Sequence, residues 1–274
     1  TSARGDYDSY FGTHLTPKLY GNWAISDAWT LKGGVSAGYK KPDLRATSSD
    51  FITPYGSTAP YSFLTVGNED LKPETSVNAE TGLYWSGKTL SLDATVFYTE
   101  FKDKIDEQTI CETTDTMQCS VHGYNAETVS KYFNVSRADL YGIELNADWQ
   151  MTDDLKANAN YTYNHSEQKT GVNKGLALND FPRNMANLSL TWSATPALDL
   201  WSTANYRSSN RDSSSGAKYE SYTVVDIGVR YKLNKNTQLM GGVYNLFDTD
   251  PKRNTTWGEY GQIEGRRYNL GARI

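Results

Sequence analysis

An alternation of side chains with period two runs through most of this sequence and constrains the fold more than any other feature. Tyr141, Ile143, Leu145, Ala147 and Trp149 alternate with mostly polar residues. This spacing is typical of a β-strand with one apolar and one polar face. About eleven such segments occur, starting near residues 13, 29, 76, 89, 138, 155, 183, 198, 221, 236 and 266. The pattern predicts an all-β protein.

The connections between these segments alternate between short and long. The predicted short ones are Ser26–Ala28, Ser86–Lys88, Thr152–Asp154, Ala194–Ala197 and Asn234–Asn236. The predicted long ones cover 41–75, 103–135, 166–182, 208–218 and 248–265. Outer-membrane barrels combine short periplasmic turns with long external loops, and their strands face lipid with apolar residues and the lumen with polar ones. We therefore predict a transmembrane antiparallel β-barrel.

Aromatic placement and composition support this fold and exclude other classes. Tryptophans lie near the short connections (Trp29, Trp85, Trp149 and Trp192), and tyrosines lie near the long ones (Tyr39, Tyr98, Tyr163 and Tyr206). Two such girdles mark the interfaces of a membrane barrel. No apolar run reaches the roughly 18 residues of a membrane-spanning helix. The net charge of −5 argues against a nucleic-acid partner.

Eleven strands are an odd number, whereas bacterial single-chain barrels have even numbers. We therefore interpret residues 1–274 as part of a larger barrel domain. Thr13–Ile25 and Arg267–Ile274 are then edge strands that pair outside this chain, because unpaired backbone groups are costly in hydrocarbon. Arginine is expected to destabilise the barrel strongly at the lipid-facing positions Leu92, Leu145 and Val229. The loss of stability caused by arginine should be smaller at the lumen-facing positions Asp93, Asn146 and Gly228.

Four motifs resemble those of one family. Asn68, Leu71, Lys72, Pro73 and Glu74 lie in NEDLKPE, which resembles the Asn-Pro-x-Leu-Lys-Pro-Glu signature of TonB-dependent outer-membrane receptors, with Glu69 in place of the proline. The segment 38–45 is similar to the one that precedes this signature in the family. Asn245, Leu246 and Phe247 resemble part of the penultimate strand, and 265–268 resembles the start of the last strand.

The resemblance implies a barrel of about 22 strands, of which this chain forms the C-terminal half, without the plug or the TonB box. It implies a receptor in the Gram-negative outer membrane that takes up a ferric siderophore, with catecholates favoured. The implied partners are outer-membrane lipid, the N-terminal half and plug, the TonB complex, the siderophore, and colicins or phages. The iron would travel inside the ligand, and no cofactor is expected. Another cargo (haem, cobalamin or a sugar) and a passive porin remain alternatives.

Candidate ligand residues are the cations and aromatics of the long loops, since a ferric catecholate is an aromatic anion that Arg and flat rings can bind together. They are Arg45, Tyr55, Tyr61, Phe63, Arg207, Arg211, Arg253, Trp257 and Tyr260. The alternative is that these aromatics only pack the loops together. The residue spacing favours neither a catalytic site nor a metal site.

Cys111 and Cys119 lie eight positions apart in a predicted external loop. An oxidising exterior favours a disulfide between them. Two unpaired thiols are the alternative.

Overall fold

The computed structural model shows a wall of antiparallel strands with short strands attached at one end. The structure describes residues 1–55, 61–113, 119–171, 173–178, 181–211, 218–250, 253–254 and 263–274, with the backbone alone for 55, 61, 135, 136, 253 and 254. The elements in chain order are β1 (Ser2–Asp8), β2 (Gly12–Ala24), β3 (Trp29–Lys40), α1 (Leu44–Thr47), β4 (Ile52–Tyr55), β5 (Tyr61–Val66), β6 (Glu74–Ser86), β7 (Leu90–Glu112), β8 (Cys119–Val121), β9 (Tyr124–Gln150), β10 (Leu155–Gln168), β11 (Asn184–Thr195), β12 (Leu198–Arg207), β13 (Asn210–Arg211), β14 (Lys218–Tyr219), β15 (Tyr222–Lys232), β16 (Gln238–Tyr244), β17 (Arg253–Asn254) and β18 (Arg267–Arg273). Within the described ranges, no helix has the length and apolar character needed to cross a membrane.

The wall is a meander in which each strand is antiparallel to the next. Its order is β1-β2-β3-β6-β7-β9-β10-β11-β12-β15-β16-β18. The predicted all-β antiparallel architecture is therefore confirmed, and the described residues form twelve wall strands in place of the eleven expected.

The additional strand, β1, corrects the predicted edge of the wall. It pairs with β2 from Ser2↔Lys18 to Asp8↔Gly12, so Thr13–Ile25 is not an edge. Within the described residues, β1 and β18 each have one neighbour and form the two edges. The alternation did not reveal β1 because Ala3 and Tyr7 are its only apolar residues. The turn at 9–11 also breaks the predicted strict alternation, since it is short and lies at the long-loop end.

The predicted short turns are confirmed to within a few residues, at 25–28, 87–89, 151–154, 196–197 and 233–237. In four of them the side-chain oxygen of a residue at the start of the turn accepts a hydrogen bond from the backbone N–H of the residue three positions later. Thr152 Oγ1 accepts from Leu155 at 3.1 Å, Thr195 Oγ1 accepts from Leu198 at 3.0 Å, and Ser26 and Asn234 act in the same way. Such local bonds are the reason that Ser, Thr and Asn favour turns.

The register joins the apolar residues of separate strands into continuous rows. One row crosses six strands through Leu92, Ala147, Ala159, Leu188, Ala204 and Val225. The neighbouring row on the other face consists of Asp93, Asn146, Asn160, Asn187 and Asn205. Within it, Asn187 Nδ2 donates to Asn160 Oδ1 at 2.6 Å. The wall therefore has one apolar face, expected to meet lipid, and one polar face, expected to line the lumen.

Gly228 lies on the polar face, as predicted, and it packs closely against a tryptophan on the neighbouring strand. Trp201 is its direct cross-strand partner, and a Cβ on Gly228 would lie 2.4 Å from the indole ring. A side chain at position 228 would therefore have to displace the indole, which adds a packing cost to any substitution there.

The described parts of two long connections, the one between β3 and β6 and the one between the wall portions of β7 and β9, pack together at the long-loop end of the wall. We call them the loop unit. β7 and β9 extend as a long hairpin beyond the wall, and β5 pairs with β9 in parallel from Tyr61↔Ala126 to Val66↔Lys131. Leu64, Val66, Cys119, Ala126 and Val129 form a buried cluster in this unit. The unit has its own small hydrophobic core, whose contacts link two loops that are distant in sequence.

The predicted disulfide is confirmed. Cys111 and Cys119 are bonded, with their Cα atoms 5.8 Å apart. Cys119 is 1% exposed and belongs to the buried cluster, and Cys111 packs against that cluster. The bridge therefore joins β7 to β8 inside the core of the loop unit.

The first family motif fastens the loop unit to the wall. Asn68 is buried, its Nδ2 donates to the Tyr132 carbonyl at 2.8 Å, and its Oδ1 accepts from the Asp70 N–H at 3.1 Å. Its backbone N–H donates to the Ala46 carbonyl. Leu71 is also buried. One asparagine thus connects α1, β9 and its own turn.

The second half of the motif continues this attachment at the entrance to β6. The side-chain amide of Asn134 makes two hydrogen bonds with the Lys72 backbone: its Oδ1 accepts from the N–H at 2.7 Å, and its Nδ2 donates to the carbonyl at 2.8 Å. The same Nδ2 also donates to the Asp103 carbonyl. Glu74 accepts from the Ile105 N–H at 2.8 Å and pairs with Lys40 at 3.1 Å. Pro73, between these two positions, has no backbone N–H to satisfy.

Asn245 plays a corresponding part after β16. It has a φ of 51°, a conformation that Asn adopts more readily than most residues. Its backbone N–H donates to Asp226 Oδ1 at 2.8 Å, and its side chain bonds Thr249 and the Glu264 carbonyl. Leu246 donates to the Val225 carbonyl, whereas Phe247 is 68% exposed. The asparagine holds the start of the last long connection.

We predict that Leu145→Arg lowers the free energy of unfolding by about 2–4 kcal/mol, because this position faces the middle of the bilayer. Asn146→Arg, one residue further on, should cost clearly less, because its side chain faces the lumen. Denaturant titration of the natural protein in lipid vesicles would measure both. Equal losses would mean that the assignment of the faces is wrong.

We predict that Asn68→Ala loosens the loop unit by about 1–3 kcal/mol, because it removes the buried amide that donates to the Tyr132 carbonyl. Hydrogen exchange of the amides in 44–71 would report the opening free energy. Asp70→Ala is the matched control, since its side chain is exposed and its backbone N–H bond is kept. Identical exchange in the two variants would contradict an anchoring role for Asn68.

Candidate ligand-binding clefts

A cleft rich in cations lies at the long-loop end of β10, β11 and β12. It has a volume of about 540 Å³. Three of its lining residues are cationic, Arg183, Arg211 and Lys218, and no Asp or Glu lines it among the described residues. We call it the cationic cleft. Its other lining residues are Asn164, Ser166, Ala177, Leu178, Phe181, Asn184, Ser208, Ser209 and Asn210.

The local pairing of short strands brings like charges together in the cationic cleft. β13 pairs with β14, which places Arg211 directly opposite Lys218. Like charges directly opposite one another destabilise a sheet. In the described part of the chain, neither residue has an ion-pair partner. An anion bound between them would relieve this repulsion.

The remaining lining groups suit an anion that carries rings or hydroxyls. Phe181 is 39% exposed and offers an aromatic surface beside the cations. Ser208 and Ser209 supply hydroxyls that both donate and accept hydrogen bonds. The cleft therefore combines positive charge, a flat ring and neutral polar groups.

A second, larger cleft of about 880 Å³ lies beside β1 and α1 and is electrically mixed. Its cations are Lys41 and Arg45, and its carboxylates are Asp8, Asp43 and Glu69. Lys41 pairs with Asp8 at 3.0 Å, and this hydrogen bond raises the pKa of Lys41. The pKa of Asp8 is lowered by the Tyr10 N–H first and by Lys41 second. This cleft is less suited to an anion.

The predicted ligand residues therefore separate into groups. Arg211 lines the cationic cleft, and the backbone of Arg253 joins the same small sheet through its pairing with Tyr219. Arg45 lines the other cleft, and Phe63 is half-buried on β5. Arg207 is bound to the wall, since its guanidinium donates to Asn187 Oδ1 at 3.1 Å and to the Tyr206 carbonyl at 2.9 Å.

Other predicted ligand residues can be placed only in part. Tyr55 and Tyr61 lie on β4 and β5, and their side chains are outside the described part of the structure. Trp257 and Tyr260 lie wholly outside the described residues. The matched motif residues line neither cleft, and most of their described contacts join backbone segments; they are Asn68, Leu71, Lys72, Pro73, Glu74, Asn245, Leu246 and Phe247.

Sequence reasoning missed Arg183 and Phe181. They flank Pro182 immediately before β11, in a loop from which no ligand residue was selected. An aromatic residue and an arginine at the end of a predicted long loop are the same combination that marked the other loops. That combination could have identified them.

Comparison with known proteins agrees with the fold. Residues 1–246 match the family described as TonB dependent receptor-like, beta-barrel. The chain is 36% identical to an iron-regulated outer membrane virulence protein of Vibrio cholerae serotype O1, over 99% of this chain and 41% of that protein. It is 29% identical to a ferric enterobactin receptor of Pseudomonas aeruginosa, over 89% of this chain and 34% of the receptor.

A solved structure shows the same architecture. The crystal structure of a mutant ferric enterobactin receptor from Pseudomonas aeruginosa, in complex with enterobactin, superposes with a TM-score of 0.76 at 26% identity. The superposition covers 98% of this chain and 42% of that one. The chain thus spans less than half the length of the relatives that it matches. Since the family match extends over residues 1–246 of 274, the chain belongs to the TonB-dependent receptor β-barrel family of the Gram-negative outer membrane.

Proposed function

We propose that the protein is a receptor for TonB-dependent uptake of a ferric siderophore, and that the cationic cleft contacts this ligand. The observation that carries the proposal is the opposition of Arg211 and Lys218, with Arg183 lining the same cleft and no carboxylate among its described lining residues. Cations that have no carboxylate beside them in the described part of a cleft favour an anionic ligand.

The chemistry of the cleft favours the catecholate class. A ferric catecholate carries several negative charges on an aromatic rim, so it needs cations for the charge and a ring or guanidinium for its flat faces. The positive charge comes from Arg183, Arg211 and Lys218. The flat surfaces come from the Phe181 ring and the guanidinium planes of the two arginines. Relatives named for enterobactin, a catecholate siderophore, support this choice of ligand.

In this proposal the chain supplies the wall and the capture loops and performs no chemical reaction. The iron enters inside the ligand, and no protein-bound cofactor takes part. Capture at the loops would precede passage through the lumen, with the plug and the TonB complex opening the path. Colicins or phages could use the same external loops as docking surfaces.

We predict that Arg211→Ala weakens binding of a ferric catecholate by about 1.5–3 kcal/mol at low salt, the range for hydrogen bonds to charged groups. That is roughly a tenfold to hundredfold rise in Kd. The loss should shrink as the ionic strength rises, because salt screens exposed charges. Ligand titration of the natural protein at two salt concentrations would measure it, with Arg183→Ala expected to behave in the same way.

Lys235→Ala is the matched control, since Lys235 is an exposed cation in a turn at the opposite end of the wall. Radioiron uptake by cells supplied with a ferric catecholate as their only iron source tests the function itself. The proposal would be refuted if the Arg211→Ala variant took up radioiron normally and without TonB, and if its affinity for the ferric catecholate were unchanged at both salt concentrations.

A further inference from the structure

The apolar face of β7, β9 and β10 ends in three ordered rows of side chains. The cross-strand pairs Tyr98↔Tyr141 and Tyr141↔His165 form an aromatic row. Two positions further toward the loops, Glu100↔Asp139 and Asp139↔Glu167 form a carboxylate row. Two positions further still are three cations, Lys102, Arg137 and Lys169. We call these three the cation row.

The rows lie on the lipid side of the wall. The pairing of β7 with β9 is regular from Leu90↔Trp149 to Phe101↔Ala138, so Glu100 and Asp139 share a face with Leu92 and Ala147. The intervening Ala138 and Leu140 are buried on the opposite face. Strand residues rise by about 3.4 Å, so each row stands roughly 7 Å above the one before it along the strand. The carboxylate and cation rows therefore lie beyond the interfacial aromatics, at the level of lipid headgroups.

The carboxylate row holds the cations in place. Lys169 pairs with Glu167 at 2.7 Å and with Asp139 at 3.7 Å, Lys102 pairs with Glu100 at 3.4 Å, and Arg137 also pairs with Glu100. Without these cations, three adjacent carboxylates would repel one another. The arrangement is therefore a positioned layer of cations rather than a scatter of surface charge.

Exposure shows which layer faces outward. The side chains of Arg137 and Lys102 are 57% and 54% exposed, whereas those of Glu100 and Asp139 are each 18% exposed. In the third pair, Lys169 and Glu167 are equally exposed, at 37% each. Arginine has five N–H donors and lysine three, so each cation keeps donors after pairing with its carboxylate. The outer surface of the site is thus a line of hydrogen-bond donors with positive charge.

We propose that the cation row binds the phosphate groups of outer-leaflet lipid headgroups. Phosphate oxygens accept strong charge-assisted bonds from Arg and Lys, and adjacent strands space the cations by about 4.8 Å. The regular pairing of β7 with β9 ends at Phe101↔Ala138, directly below the cation row, and Lys102 keeps its pairing with Thr75 on β6. The site thus borders the lipid-facing wall, so the molecules that meet it are the lipids whose tails cover Leu92 and Leu145. Such binding would fix the height of the barrel in the membrane and keep ordered lipid at its rim.

The test compares a lipid bearing two phosphates, diphosphoryl lipid A, with the same lipid after dephosphorylation. The protein is purified from outer membranes as the cell makes it, and native mass spectrometry gives the affinity for each lipid. The unmodified protein should prefer the phosphorylated lipid by about tenfold or more. The double variant Arg137→Gln/Lys169→Gln should lose this preference. A double variant that keeps the preference would overturn the proposal.

Lys88→Gln/Lys235→Gln is the control, because it removes the same charge from exposed turns at the opposite rim. It should keep the full preference, and an equal loss in the control would show that the preference depends on net charge alone, which contradicts the proposal. Lys102→Gln guards against misfolding, since Arg137 still pairs with Glu100. It should lower the preference by about twofold to fivefold, and no change would count against the cation row. Inorganic phosphate should fail to displace the lipid, and efficient displacement would exclude a lipid headgroup as the natural ligand.

Discussion

The structure depends on one constraint, which is that backbone N–H and C=O groups inside a bilayer find no hydrogen-bond partner in the lipid. Each wall strand between the two edges therefore pairs on both sides, and the meander from β1 to β18 follows from it. The same constraint makes the edge strands β1 and β18 the places where this wall must meet further strands, because each has one neighbour within the described residues.

Continuous pairing fixes the register, and the register determines which chemistry each face carries. A slip of one residue would move every apolar side chain to the other face. With the observed register, the asparagines of β9, β10, β11 and β12 meet in one ladder on the polar face. On the apolar face the same register aligns three aromatic residues and then three carboxylates, and three cations follow just beyond the last of these pairs. The lipid-facing wall and the proposed headgroup site are thus two parts of one pattern.

Local signals made much of the wall predictable. Alternation located eleven strands, and turn residues such as Thr152 and Asn234 located the short connections. β1 was not predicted, because a strand with two apolar residues shows no clear alternation, although its backbone pairs along its whole length with β2. The close packing at Gly228 was also not predicted, since it arises from Trp201 on a neighbouring strand, 27 positions away in sequence.

The candidate site was less predictable, because it depends on contacts between loops. Arg211 could be selected as an exposed loop cation, but its position opposite Lys218 depends on the pairing of two short strands. The parallel pairing of β5 with β9 likewise joins residues that are 65 positions apart, and such long-range pairing has no local sequence signal. Asn68 and Asn245 were recognised as motif residues, whereas their roles as backbone anchors came from the structure.

The most direct test of the two-faced wall is a scan of single spin-labelled cysteines along 137–149 of β9 in the natural protein in lipid vesicles. The native cysteines do not interfere, because they are bonded to each other. Collision with oxygen reports lipid, and collision with a polar nickel complex reports water. We expect oxygen access to alternate with period two, high at Tyr141, Ile143, Leu145, Ala147 and Trp149, and to fall at Asp139 and Arg137 as the strand leaves the hydrocarbon. Uniform access, or high oxygen access at Asn146 and Asp148, would contradict a wall with one face in lipid and the other in the lumen.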